Sequence, residues 1–210
     1  MSDAQHTPVV PLEAGAGPEN PPCPACGEPL FGWLAPRPGL SGPVSRCESC
    51  GLGVVGADAD AEEALHELDR LRDGEWIRIA NRDSFAGSLG SAGWSGLVPG
   101  ARYLFTVESV RRLIARRDQV VAASRWLPGA ALAATWQTML NSVTFGHNVA
   151  LAALGGGAVA VPASRPWQRR IDALASVVLA IPALIVALPV ELAGGVFRRG
   201  AVVQLRPQLL

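Results

Sequence analysis

Apolar residues recur at helical spacing over Ala61–Asp73, where Ala61, Ala64, Leu65, Leu68 and Leu71 share one face. Asp58 or Asp60 can cap that helix and Gly74 can end it. The period then changes to two: Glu75–Ala80 alternates as a strand, and the Gly- and Ser-rich stretch 81–98 reads as a loop. Thr106 is placed to cap a second helix, Val107–Arg117, with Val110, Leu113 and Ile114 facing inward. Its arginines, Arg111, Arg112, Arg116 and Arg117, suit a solvated helix C-terminus, and they would also suit anionic lipid headgroups. Gln119–Trp126 and Ala201–Leu205 read as two further strands.

The last third of the chain is far more apolar. Leu132–Leu154 predicts one long helix whose Gln137, Asn141, Thr144 and Asn148 form a thin uncharged stripe, fit for a membrane interface or for protein cover. His147 lies off that stripe and reads as a packing residue rather than a ligand. Ala173–Val190 runs eighteen residues without a charge, long enough for a transmembrane candidate, although Pro182 and Pro189 would kink it. Arg165, Arg169 and Arg170 precede this run and Arg198 and Arg199 follow it, so flanking charge selects no orientation. If the last strand rejoins Gln119–Trp126, both ends of the apolar segment lie on one side. That geometry favours helices lying in one leaflet at the cytoplasmic face of a membrane over a single span, with a buried soluble core as the third reading. Trp126, Trp136 and Trp167 suit either an interface or a core.

Composition narrows the chemistry. The chain has 210 residues, 49% of them hydrophobic and 17% charged, and its eighteen basic residues, all Arg, balance eighteen acidic ones. Without Lys there is no Schiff base, Lys nucleophile or Walker-type phosphate loop, and the zero net charge gives no global field for nucleic acid. Residues 1–22, rich in Pro, Gly, Ala and acidic side chains, read as a disordered leader without the marks of an export signal, so reduced thiols are expected.

The sharpest motif is a pair of C-x-x-C-G knuckles, Cys23 with Cys26 and Cys47 with Cys50, each closed by a glycine, Gly27 and Gly51. Two disulfides or free thiols are the alternatives, but this spacing fits four thiolates around a tetrahedral, structural Zn²⁺ with no open position for chemistry. Between the knuckles a hairpin is expected over a small core of Leu30, Phe31, Trp33 and Leu34, so slight that the metal would supply most of the folding free energy. The ribbon carries only Arg37 and Arg46 against Glu28 and Glu48, which speaks against nucleic acid as its partner.

The run Glu63–Asn81, reading EALHELDRLRDGEWIRIAN, resembles a late segment of class I S-adenosylmethionine-dependent methyltransferases, where a helix of aLxELxRvLrpGG type enters the fifth strand and ends near iaNPdS. Here Asn81-Arg82-Asp83-Ser84 stands at that end. Trp94–Pro99 and Phe105–Ile114 are similar to the family's W-x-GLdxPRHLyhFTpeSLrrLL, except that its His falls on Ala101. Some bacterial members also begin with a Cys knuckle and carry an apolar insertion before the last strand. The likeness covers about residues 20–55 and 60–210. The family's donor-binding strands, with their Gly-rich loop and acidic ribose ligand, have no counterpart: only residues 51–74 separate Cys50 from Glu75, and Gly155-Gly156-Gly157 follows a helix, not a strand. The resemblance therefore implies a sheet remnant in which the last strand lies between Gln119–Trp126 and Glu75–Ala80, the latter as an open edge.

The expected fold class is α+β. After the leader come a zinc ribbon over 23–56, a methyltransferase-like α/β remnant of about three strands over 57–130, apolar membrane-associating helices over 131–199, and a final strand and tail over 200–210. No catalytic or S-adenosylmethionine-binding residue is assigned. The favoured reading is a non-enzymatic, membrane-lipid-associated protein that binds a partner enzyme or a lipid-linked or glycan substrate. Its alternatives are a methyltransferase active only with a partner chain that supplies the donor site, and a zinc-ribbon protein adaptor. A second copy, a methyltransferase-like partner or the zinc ribbon is expected along the Glu75–Ala80 edge.

Overall fold

A computed structural model describes residues 20–35, 40–56, 58–156 and 159–210. The expected leader thus falls outside the described residues up to position 19, as does Arg37. Among the described residues the chain is α+β, with two four-stranded antiparallel sheets and seven α-helices.

The first sheet is the cysteine ribbon. β1 (Leu30–Leu34), β2 (Val44–Cys47) and β3 (Gly53–Val55) form a meander, and β6 (Tyr103–Leu104) adds to its edge through Gly53↔Leu104 and Val54↔Tyr103. The ribbon therefore borrows a strand from beyond residue 57, across the expected domain boundary. Its expected private core does not form either. Leu30 is buried, but Phe31 is 41% exposed, while Trp33 and Leu34 pack beside Trp94 and Leu97 in a separate cluster. Leu30, Leu52 and Val54 instead join the main core of the molecule.

That core lies against the second sheet, ordered β4-β5-β8-β7. β5 (Trp76–Ala80) and β7 (Gln119–Trp126) flank β8 (Val202–Leu209), the strand order that the family resemblance implies. α1 (Ala61–Arg70) and α3 (Val107–Ala115) bury Leu65, Leu68, Val110, Leu113 and Ile114 against Ile77, Ile79, Val203 and Leu205. The caps are those the sequence offers: Asp60 accepts from the Glu63 amide at 2.9 Å, and Thr106 and Ser109 form a reciprocal capping box. Helix α1 stops at Arg70, three residues short of the expected end, because β4 (Arg72–Asp73) folds back on β5 through a turn at Gly74, φ +59°. This hairpin pairs Arg72 with Ile77 and Asp73 with Trp76, so the first half of the expected open edge is covered by the chain itself.

The 81–98 stretch is not all loop. Ser84, buried, accepts from the Gly87 amide at 2.9 Å and starts α2 (Phe85–Gly90). The predicted Leu132–Leu154 helix is two helices, α4 (Pro128–Asn141) and α5 (Val149–Ala153). Ser142 and Thr144 donate to the carbonyls of Thr138 and Leu140, and Asp172 accepts from the amides of Phe145 and Gly146, so the helix has local competitors where it ends. The polar stripe is protein-covered. Gln137 donates to Asn141 at 2.7 Å, Asn141 accepts from the Asn148 amide at 2.9 Å, and Asn148 donates to the Ser95 carbonyl at 2.9 Å.

The apolar C-terminal segment is likewise two helices, α6 (Pro166–Val178) and α7 (Ala180–Val196), bent by 61° at Leu179. Proline explains the position of the break. A continuous helix would need an amide at Pro182 for the Val178 carbonyl; breaking at Leu179 puts Pro182 in a first turn, where no amide is required. No single described helix is long and apolar enough to cross a membrane; the bent pair passes by length and composition only when taken together, and of the two prolines expected to kink the run, Pro182 stands at the break and Pro189 inside α7.

Candidate functional site

The two knuckles are built alike. Gly27 donates to the Cys23 carbonyl at 2.8 Å and Gly51 to that of Cys47 at 2.9 Å, and both glycines take positive φ, +82° and +75°. Cys23 and Cys47 in turn donate to the carbonyls of Glu28 and Leu52 at 2.7 and 2.9 Å. The four sulfurs converge: Cys23 and Cys50 Sγ lie 3.6 Å apart, Cys26 and Cys47 Sγ 3.4 Å, and all four within 4.8 Å of one another. None is disulfide-bonded. Four thiolates about 2.3 Å from a tetrahedral ion would sit about 3.8 Å apart, so the cluster fits one metal ion held entirely by protein.

Cys23, Cys26 and Cys50 do not hold their protons alike. Cys23 is pulled down to about 5, first by its hydrogen bond with Cys50 and then, against the effect of burial, by the Ala25 and Cys26 amides. Cys50 is pushed above the ordinary thiol range by the same bond and by burial, and burial also raises Cys26. The half-buried Arg112 guanidinium holds its proton more firmly than usual, because of its 2.9 Å bond to Glu108 and the charge of that carboxylate. Thr106 couples cluster and helix: its hydroxyl donates to the Cys50 carbonyl at 2.6 Å while accepting from the Ser109 amide at 3.0 Å, and a Cβ on Gly51 would lie 2.9 Å from its methyl. The sequence identified Thr106 as a cap but gave no sign of this second bond.

Beside the second knuckle lies a groove of about 780 Å³ whose walls also include the end of β7 and the last turn of α7. A second cavity, of about 560 Å³, has His147 on its lining. The His147 backbone pairs with Val161, at 2.8 and 2.9 Å, and its ring lies 3.5 Å from Asn141 Nδ2, in keeping with a packing role.

Sequence reasoning missed two buried acids and one buried cation. Glu191, the charge inside α7, accepts from Trp126 Nε1 at 2.8 Å, the Ala201 amide at 2.9 Å and Thr135 Oγ1 at 2.6 Å, tying α7 to both β-strand ends and to α4. Asp172 likewise ties the 145–146 loop to α6, and the place of Glu191 as the lone charge in an apolar run was the available signal. Arg82, 4% exposed, stacks its guanidinium 3.8 Å over Trp33 and 5.7 Å from the Trp94 ring, and burial lowers its pKa to about 10. It lines neither of the two large cavities.

The expected interfacial tryptophans divide. Trp126 is wedged against Gly195, where a Cβ would sit 2.7 Å from the ring, and Trp136 donates to the Ala180 carbonyl at 2.8 Å. Trp167 stays half-exposed, edge-on to exposed Phe145 with 5.6 Å between ring centroids. Comparisons with family models, with curated proteins and with solved structures find no match to this chain.

Proposed function

We propose that this chain is a membrane-associated binding protein, non-enzymatic on its own, whose four cysteines hold a structural Zn²⁺. One observation carries the membrane part: α6 and α7 leave their apolar side chains uncovered. On α6, Trp167, Ile171, Leu174 and Val178 are exposed at helical spacing, with Val177 beside them 77% exposed. On α7 the stripe is Ile181, Ile185, Leu188, Leu192 and Val196, the first and last 70% and 78% exposed. Contiguous apolar patches of this kind are rare on soluble monomers and mark surfaces that meet a partner or a lipid phase. Arg165, Arg169, Arg170, Arg198 and Arg199 at the two ends of the pair complement anionic lipid, which favours a bilayer as the occupant.

Cys23, Cys26, Cys47 and Cys50 would hold the zinc with no position left for water, so the ion would stabilise the ribbon and do no chemistry. The bound cargo is then a lipid-linked or glycan substrate, or a partner enzyme that carries the donor site this sequence lacks. The membrane reading is tested with the full chain, zinc-loaded, in flotation with phosphatidylcholine–phosphatidylglycerol vesicles. The native protein should float, and the triple variant Ile181→Ser, Ile185→Ser, Val196→Ser should stay in the dense fraction with unchanged zinc content. A native chain that stays behind as a monodisperse species overturns it. Saturable S-adenosylmethionine binding by the chain alone, read by calorimetry, overturns the non-enzymatic part.

A further inference from the structure

The groove beside the ribbon carries more than the membrane reading requires, although a lipid as its ligand would rest on that reading. Arg46, Arg111, Arg125, Arg198 and Arg199 line it, drawn from β2, α3, β7 and the turn after α7. Three acids share the lining, but two are already shared among arginines: Asp83 lies 3.7 Å from Arg46 and 3.5 Å from Arg199, and Glu108 lies 2.9 Å from Arg112 and 3.8 Å from Arg111. Arg125 is held ready rather than neutralised, its Nε donating to Gln204 at 2.7 Å and its guanidinium 4.1 Å over the Trp76 ring. Arg46 Nε is buried without a hydrogen-bond partner.

Arg198 is the most telling of the five. The Arg199 amide closes the end of α7 onto the Gly194 carbonyl at 2.6 Å, which puts Arg198 in the left-handed position, φ +58°. Glycine is the usual occupant there, and among the described residues Asp118 and Asn148, also at positive φ, have short side chains that tolerate such backbone better. Among the described residues the Arg198 guanidinium has neither an ion pair nor a hydrogen bond. A long cation thus occupies a strained position, unpaired, on the wall of a groove lined by more cations than anions. Strain of this sort persists where a ligand contact or a surrounding structure maintains it.

We infer that this groove binds the phosphate of a phosphate ester, with Arg198 as its principal donor and Arg199, whose Nε and Nη2 are already given to Asp83 and Ser88, adding Nη1. The groove's α7 wall is the last turn of the exposed apolar stripe, so a headgroup held there would have its chains beside Val196 and Phe197. A soluble phosphate ester offers the same chemistry, and the experiment separates the two sources.

Arg198→Gly is the decisive variant, because it removes the charge and relieves the backbone together. The full zinc-loaded chain is titrated with glycerol 3-phosphate, and separately floated with phosphatidylcholine vesicles with and without phosphatidylglycerol. The native chain should bind glycerol 3-phosphate or respond to phosphatidylglycerol. Arg198→Gly should weaken that response about tenfold, the loss of one charge-assisted hydrogen bond, while its unfolding midpoint rises. Arg199→Gln should weaken it likewise. A response confined to phosphatidylglycerol supports a lipid source, and one seen with glycerol 3-phosphate alone supports a soluble source. Binding to phosphatidylcholine that ignores both phosphatidylglycerol and Arg198→Gly overturns the groove while leaving the membrane reading intact. A glycerol 3-phosphate response that Arg198→Gly abolishes, in a chain that floats with neither vesicle, upholds the groove and defeats the membrane reading. No response to either probe overturns the groove as well.

Discussion

At the scale of single residues, the charges inside the apolar third act as fasteners. Glu191 is 3% exposed and answers three donors from three elements, so truncating it strands Trp126 Nε1, the Ala201 amide and Thr135 Oγ1 together. Glu191→Ala should cost about 3 kcal/mol in chemical denaturation, within the range for breaking a buried charged network, whereas Glu191→Gln, which keeps two acceptor lone pairs, should cost less. Relief at Arg198 has the opposite sign: Arg198→Gly should gain about 1 kcal/mol in the same measurement. The cysteine cluster predicts a pH dependence. Burial and hydrogen bonding keep Cys26 and Cys50 protonated in the metal-free chain, and both must lose protons to ligate. Metal affinity should therefore fall as pH falls, with proton release on zinc addition detectable in weakly buffered solution. Affinity flat between mildly acidic and neutral pH would contradict this.

At the scale of elements, legibility in the sequence followed how local the cause was. The knuckles were readable because C-x-x-C-G encodes its own turn, and α1, α3, β5, β7 and β8 because a period and a cap lie within one short window. Breaks in the apolar helices were hidden, since hydropathy runs unchanged through them. What ends α4 is a set of hydroxyls bonding backward and a carboxylate, Asp172, arriving from α6. Helix α2 was hidden by its glycines, although Ser84 three residues before Gly87 was a legitimate cap signal. The arginine groove could not be read at all, because its cations come from four separated stretches that only the tertiary fold assembles.

Across the whole molecule, the ribbon and the α/β body share one core: Cys23, Cys47, Cys50, Leu30 and Leu52 belong to the same buried cluster as Leu65, Leu113 and Leu205. Stripping the metal should therefore lower the stability of the entire chain rather than melt the ribbon alone. Calorimetry should show a single transition that moves down with a chelator; two separated transitions would mean the ribbon folds as a unit of its own.

The 61° elbow between α6 and α7 has a mechanical meaning too. On the proposed membrane reading, two helices bent this sharply, both apolar on their uncovered faces, would form a wedge that reaches into one leaflet and leaves the opposite one untouched. Spreading one leaflet favours membrane that already curves away from the inserted side, where acyl chains are loosely packed. Highly curved vesicles should accordingly capture the chain better than flat bilayers of the same lipid.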